Sequence, residues 1–406
     1  MGVVCLGHDP FSGHDVAIKI CRTGMPLAAD AEAHRKLFFN EVHAAGLLAH
    51  PHIVEIYDAA FDDAGCYLVM EYVEGAKTLK NFCCPDKLLS IEKVVEIIIK
   101  SATALDYAHR EGIIHRDIKP SNILYDAGHD KVKISDFGIA KIIGVETSQM
   151  SGAMGTPRYM SPEQILDESV TGQTDIYSLG IVMYELLTGR AAFEGDNIPV
   201  VASKIIKQDP PNVKKFRPKV SEELIAILAK AIHKKTEFRY KRGLDLASDL
   251  SSLSIGSDTL DGIVSEDERF CVARQLDFFR DFPDAQVWEF IRASMWQRVK
   301  PGEVILTEDE DDEYFYIIAA GVTEVSKWGK IINEMSKGDC FGEVGYITHS
   351  VRSASVIAKT SVLLISVNTA MLDMASPLCQ LYFNRIVMMT LADRVIKLSK
   401  KLAEKL

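Results

Sequence analysis

The sequence predicts an α+β chain of two domains, and three observations carry that prediction. Residues 1–75 alternate short apolar runs with turn signals, the pattern of a small sheet. From about 90 to 250 the apolar residues recur at helical spacing. From about 299 to 367 short strands and glycine turns return, flanked by helical stretches. The boundaries read as 1–250 for the first domain, 251–270 for a linker, 271–375 for the second and 376–406 for a C-terminal helix.

Each element has its own reason. Val16-Ala17-Ile18-Lys19-Ile20, Ile53-Val54-Glu55-Ile56-Tyr57 and Tyr67-Leu68-Val69-Met70 suit strands, and Phe38 to Leu48 fits a helix between the first two. Val94 to Tyr107 and Ser221 to Ile232 keep a helical apolar stripe. Ile176 to Leu187 is the most apolar run, broken by Tyr177, Ser178, Tyr184 and Glu185, so it predicts a buried helix and not a membrane span. Residues 249–268 are rich in serine and acid, the composition of a connection. Lys300-Pro301-Gly302-Glu303, Ala320-Gly321 and Lys337-Gly338-Asp339 punctuate the strands that follow. Leu381 to Leu406 closes as a helix with lysines near its end, where they complement the dipole.

At 406 residues, with 47 % hydrophobic and 25 % charged residues, the composition is that of a globular protein. A net charge of −11 argues against a broad nucleic-acid surface. The eight cysteines show no CxxC and no zinc-ligand spacing, so they read as reduced thiols in a reducing compartment. With no signal-like opening at Met1 and no long apolar stretch, a cytoplasmic location without membrane contact is expected.

The motifs that carry chemistry lie in the first domain. His115-Arg116-Asp117-Ile118-Lys119-Pro120-Ser121-Asn122 follows an apolar helix, and Asp136-Phe137-Gly138 comes soon after. Upstream stand Val16-Ala17-Ile18-Lys19, then Glu41, then Met70-Glu71-Tyr72-Val73. Downstream come Gly155-Thr156-Pro157-Arg158-Tyr159-Met160-Ser161-Pro162-Glu163, Asp175 and Arg239. Phosphoryl transfer needs phosphates held, metals held and a hydroxyl aimed, and these residue types in this order supply all three.

Together these motifs resemble the bacterial Hanks-type Ser/Thr protein kinases, which implies a bilobal protein-kinase fold. The resemblance assigns the substrate-hydroxyl base to Asp117 and γ-phosphate neutralisation to Lys119. It assigns Mg²⁺ to Asn122 and Asp136, and ATP to Lys19, with Glu41 as its ion-pair partner. The adenine-reading hinge falls at Glu71 and Val73, with Met70 as gatekeeper. Asp175 would anchor the catalytic loop and Arg239 would pair with Glu163; Ser161 replaces the family's alanine as one small residue for another. Thr147, Ser148 and Ser151 are candidate phosphosites, with Arg116 and Lys141 as cations to receive a phosphate. The family opens on a glycine-rich loop, of which Gly2-x-Val4 matches only the last part, so the domain reads as N-terminally truncated. Either the start is placed late or the lobe is catalytically poor.

The second domain carries Phe341-Gly342-Glu343-Val344-Gly345, then Val351-Arg352-Ser353-Ala354. This resembles the phosphate cassette of cyclic-nucleotide-binding domains, which implies a β-roll with flanking helices. Arg352 and Ser353 would grip the cyclic phosphate and Gly342 would open a short helix over it. Glu343 would accept the ribose hydroxyl. Asp309 stands where the family often has glycine, which leaves that turn's geometry open. The expected ligands are ATP, Mg²⁺ and cAMP or cGMP, and the expected partner is a protein offering Ser or Thr. The activity expected is a cyclic-nucleotide-regulated Ser/Thr kinase; the alternative is a truncated kinase serving as sensor or scaffold. Oligomeric state is left open.

Overall fold

The computed structural model describes residues 3–11, 13–21, 42–43, 45–62, 65–137, 157–255, 265–310, 314–343, 348 and 351–403. Two compact units divide the chain, Met1–Asp258 and Thr259–Leu406.

The first unit opens with a four-stranded antiparallel sheet of order β1-β2-β4-β3: β1 Val3–His8, β2 Asp15–Cys21, β3 Ile56–Asp62 and β4 Gly65–Glu71. Strand β3 begins at Ile56, so the predicted strand residues Ile53 to Glu55 precede it, and Ile53 forms only an isolated bridge to Ile134. Lys19 shares a sheet face with Ala17. Ala17 packs on a cluster of Val42, Val54, Cys66, Leu68 and Met70, so the alternation of β2 turns Lys19 inward. Of the helix expected at 38–48, residues 42–43 and 45–48 are described; 42–43 and 45–46 are helical, while Leu47 is in a turn and Leu48 lies beyond the helix.

Strands β5 Lys77–Thr78, β6 Ile123–Asp126 and β7 Lys131–Ile134 form a second, three-stranded sheet. Helix α1 Ile91–Arg110 leads towards it, capped by Ser90, whose hydroxyl accepts from the Lys93 N–H. Short α2 Pro162–Ile165 is followed by α3 Gly172–Thr188. Helix α3 is buried on nearly all sides, with Ile176, Tyr177, Leu179 and Met183 without solvent contact. It stops at Gly189, whose φ of 67° is left-handed and whose added Cβ would lie 2.6 Å from the Pro85 nitrogen. Helices α4 Ile198–Lys207, α5 Glu222–Ala231 and α6 Gly243–Ile255 complete the unit. Ser221, predicted inside α5, is its N-cap.

Residues 251–255 continue α6, and 266–270 already belong to α7 Glu266–Arg274. Their polar composition reflects capping and back-bonding as much as linkage. Ser251 Oγ donates to the Ala247 carbonyl, and Ser265 forms a capping box with Glu268.

The second unit continues with α8 Asp284–Arg292 and, among the described residues, eight strands in two four-stranded sheets. One has order β13-β10-β15-β8, from β8 Met295–Val299, β10 Phe315–Ala320, β13 Cys340–Phe341 and β15 Val362–Val367. The other has order β12-β11-β14-β9, from β9 Val304–Leu306, β11 Val322–Lys327, β12 Lys330–Ser336 and β14 Ser355–Ala358. Their shared core includes Val299, Leu306, Ile318, Val356 and Leu364. Helix α9 Thr369–Asp373 precedes α10 Pro377–Ala403. Phe383 of α10 is fully buried, 5.3 Å from the ring of Phe315 and 5.7 Å from that of Phe290, which fixes the root of the long helix.

Candidate functional site

The loop at 115–122 is held from behind by a single carboxylate. Asp175 has no solvent exposure. Its Oδ2 accepts from the His115 backbone N–H at 2.8 Å and lies 2.8 Å from His109 Nε2, and its Oδ1 accepts from the Arg116 N–H at 2.7 Å. Burial pushes the Asp175 carboxyl upward, but the bonds from His109 and His115 outweigh it and hold the group below the usual carboxylate range. Arg116 needs this anchor, because its φ of 65° is a conformation that costs a non-glycine residue about 1–3 kcal/mol. His115 Nδ1 accepts from the Asp117 N–H, which leaves Nε2–H to donate to the Ser135 carbonyl at 2.9 Å.

Asp117 is thereby presented with one oxygen engaged. Lys119 Nζ lies 2.6 Å from Oδ2, and Asn122 Nδ2 donates to the same oxygen at 3.1 Å and to the Asp117 carbonyl at 2.8 Å. Oδ1 has no partner among the described residues, and the side chain keeps 39 % of its exposure. A carboxylate oriented in this way can receive a hydroxyl proton.

Asp136 closes the constellation. Its own φ is 68°, and its Oδ1 lies 2.6 Å from Lys19 Nζ. The expected partner of Lys19, Glu41, lies outside the described residues, and the partner that the structure provides is Asp136. Among the described residues no group of three or more acidic, histidine or cysteine side chains could cage a metal. One carboxylate and one amide, Asp136 and Asn122, are the donor set of a hard cation that keeps waters and phosphate oxygens as its other ligands, so the residues fit Mg²⁺. Glu71 spends its side chain on Lys133, 2.6 Å away, so adenine would meet only backbone there. The Val73 carbonyl accepts from the Ala76 N–H at 3.3 Å. Gly2, Gly138, Lys141, Thr147, Ser148 and Ser151 lie outside the described residues.

Around this centre Arg239 and Glu163 form a buried two-pronged pair at 2.7 and 3.1 Å, with Thr174 donating to the same carboxylate. Ser161, expected to be an indifferent replacement, caps α2 in a reciprocal box with Gln164, worth about 1 kcal/mol. Gln164 Nε2 in turn donates to the Arg116 carbonyl at 2.9 Å, tying the helix to the loop.

In the second unit Arg352 is held beside the turn at Gly342. Arg352 is buried, and its Nη1 donates to the Gly342 carbonyl at 2.7 Å and Nη2 to the Tyr314 carbonyl at 2.5 Å. Gly342 has φ 86°, and a Cβ there would stand 2.7 Å from the Tyr314 oxygen and 3.1 Å from Arg352 Nη1, so only glycine fits. Asp309 adopts φ 67°, the left-handed turn that glycine would take, and its N–H donates to the Arg352 carbonyl at 2.9 Å. Ser353 is exposed beside it. The short helix expected after Gly342 falls mostly at 344–347, outside the described residues.

Glu343 is buried, and it is paired. Arg394 of α10 donates through Nη1 to Glu343 and through Nη2 to the Cys340 carbonyl. Sequence reasoning missed Arg394, although its signal is present. Cys379, Phe383 and Val387 form the buried stripe of α10, and Arg394 continues that stripe 11 residues beyond Phe383, about 16 Å along the helix.

Comparison with known proteins agrees with both halves. Residues 1–244 match the protein kinase domain and residues 296–374 the cyclic nucleotide-binding domain. The serine/threonine-protein kinase PknB of Mycobacterium leprae is 38 % identical over 262 residues, covering 63 % of this chain and 41 % of the relative. The serine/threonine-protein kinase PrkC of Bacillus subtilis is 35 % identical over 295 residues, covering 72 % of this chain and 44 % of the relative. The chain thus spans about two fifths of the length of these curated relatives. The crystal structure of the Mycobacterium tuberculosis PknI kinase domain aligns with a TM-score of 0.50 at 26 % identity, over 62 % of this chain and 90 % of that one.

Proposed function

The chain belongs to the protein kinase family, and from that premise we propose that it transfers the γ-phosphoryl group of ATP to a serine or threonine hydroxyl under the control of a cyclic nucleotide. The observation that carries the catalytic part is the Asp117 carboxylate, fixed through Oδ2 by Lys119 and Asn122. Its Oδ1 would orient the substrate hydroxyl and accept its proton. Lys119, already beside that carboxylate, would neutralise charge on the transferred group, and Lys19 would hold the other phosphates. Asp136 and Asn122 would hold Mg²⁺, which supplies charge neutralisation along the phosphates. The scaffold that fixes Asp117 is Asp175, through the two N–H groups of the turn.

In the second unit, Arg352 and the Gly342 turn support cyclic-phosphate binding. cAMP is the favoured nucleotide, from the resemblance of the Glu343 and Arg352 segments to the cAMP-binding bacterial catabolite activator protein. The Arg394–Glu343 pair supports a specific route to regulation. A nucleotide whose ribose hydroxyl takes Glu343 would compete with Arg394 for that carboxylate, so binding would loosen the far half of α10. A full-length phosphotransfer assay tests the catalytic part. Asp117→Asn should lower the rate by about 10²–10⁴-fold; equal rates in the two proteins would leave a scaffold as the function. Calorimetry with cAMP and cGMP tests the sensor, and no heat from either would remove it.

A further inference from the structure

Between Tyr184 of α3, the segment 209–213 and α5, the first unit holds a cavity of about 340 Å³ to which the loop at 115–122 contributes no lining residue. Val213, Ile225, Leu228 and Ile232 give it an apolar lining, and Asp209 and Lys234 are its charged members. This volume lies within the range of small-molecule pockets, as does the pairing of an apolar wall with a few polar groups.

Lys234 is the unusual member. Its ammonium lies 4.5 Å from the ring centroid of Phe193 and 5.6 Å from that of Tyr177, and its nearest hydrogen-bond partner is the Tyr177 hydroxyl at 3.4 Å. Among the described residues no carboxylate comes within ion-pairing distance of it. Arg239 occupies the same Tyr177 ring at 5.0 Å, but Arg239 is neutralised by Glu163 and Lys234 is not. Burial pulls the Lys234 amine down to about 8, against the opposing influence of Asp209. Among the described residues this half-buried cation over aromatic faces makes no ion pair, and Asp209 across the cavity is the one carboxylate that acts on it.

We propose that this cavity is a binding site for a small amphipathic acid, an apolar body seated on Leu228 and Ile232 with its carboxylate on Lys234. The aromatic rings and the alkyl stem of Lys234 would exclude water from the contact, which strengthens a charge-assisted bond. Asp209 disfavours a second negative charge and so selects monoanions.

Ligand-observed NMR on the full chain tests this with indole-3-acetate as probe and tryptamine, the same ring with an ammonium, as its counterpart. Saturable binding of indole-3-acetate is expected, with tryptamine at least tenfold weaker. Lys234→Gln, which keeps length without charge, should weaken indole-3-acetate at least tenfold. Ile225→Trp, which fills the cavity and keeps the lysine, should abolish binding even if the first variant folds poorly. Saturating ADP with Mg²⁺ should leave binding unchanged. No binding, equal binding of the two probes, indifference to both variants, or loss of binding on adding ADP would each overturn the proposal. None of these results depends on phosphotransfer.

Discussion

Replacing Asp175 by asparagine tests whether one buried carboxylate holds the catalytic turn. Both oxygens of Asp175 accept from backbone N–H groups, Oδ2 from His115 and Oδ1 from Arg116. An asparagine has one acceptor oxygen, so either orientation of its amide sets an NH₂ against an N–H. The change removes hydrogen bonds to a charged group, worth about 1.5–3 kcal/mol, and strands a buried donor at about 1–3 kcal/mol. Relief from burying the charge offsets part of this, so the expected loss is about 3 kcal/mol. For a unit of this size that corresponds to about 6–12 °C in its melting temperature. Calorimetry on the full chain measures the loss, and hydrogen exchange at His115 and Arg116 locates it. Phosphotransfer should fall at least tenfold, because Asp117 is next to the freed turn. A loss below 1 kcal/mol with both amides still protected would refute the reasoning.

Other perturbations probe different parts. Arg239→Met strands the buried Glu163 carboxylate and should cost about 3–5 kcal/mol in urea unfolding, whereas adding Glu163→Gln should recover part of it. Acid should weaken the first unit. Burial opposes ionisation of Asp106, Glu163 and Asp175, but their bonds to Arg242, Arg239 and His109 prevail and hold all three below the ordinary carboxylate range. Their folded values are depressed, so their stabilisation is intact above about pH 5 and drains as the pH falls through the unfolded values near 4 and then the folded ones. Urea midpoints from pH 7 to 3 check this, and Asp106→Asn should flatten the profile. Arg394→Ala should tighten nucleotide binding about tenfold by calorimetry, the equivalent of about 1.4 kcal/mol, because it removes the competitor for Glu343. Weaker binding would mean that Arg394 helps to hold the nucleotide.

The sequence by itself determined what depends on local order. The strand carrying Lys19, the helices at α1, α3 and α5, and the two families followed from periodicity and from motifs whose residues are close along the chain. Asp117, Lys119 and Asn122 lie within six residues, so a loop alone brings them together. The tertiary structure decided what depends on meetings between distant segments. Lys19 reaches Asp136 across 117 positions, and Arg394 reaches Glu343 across 51. Backbone strain was only partly legible: aspartate tolerates the left-handed turns at Asp136 and Asp309, the latter at a position where glycine is usual, but nothing local marks Arg116 for one. Such turns persist only where buried partners such as Asp175 over-determine them, and those partners come from elsewhere in the fold.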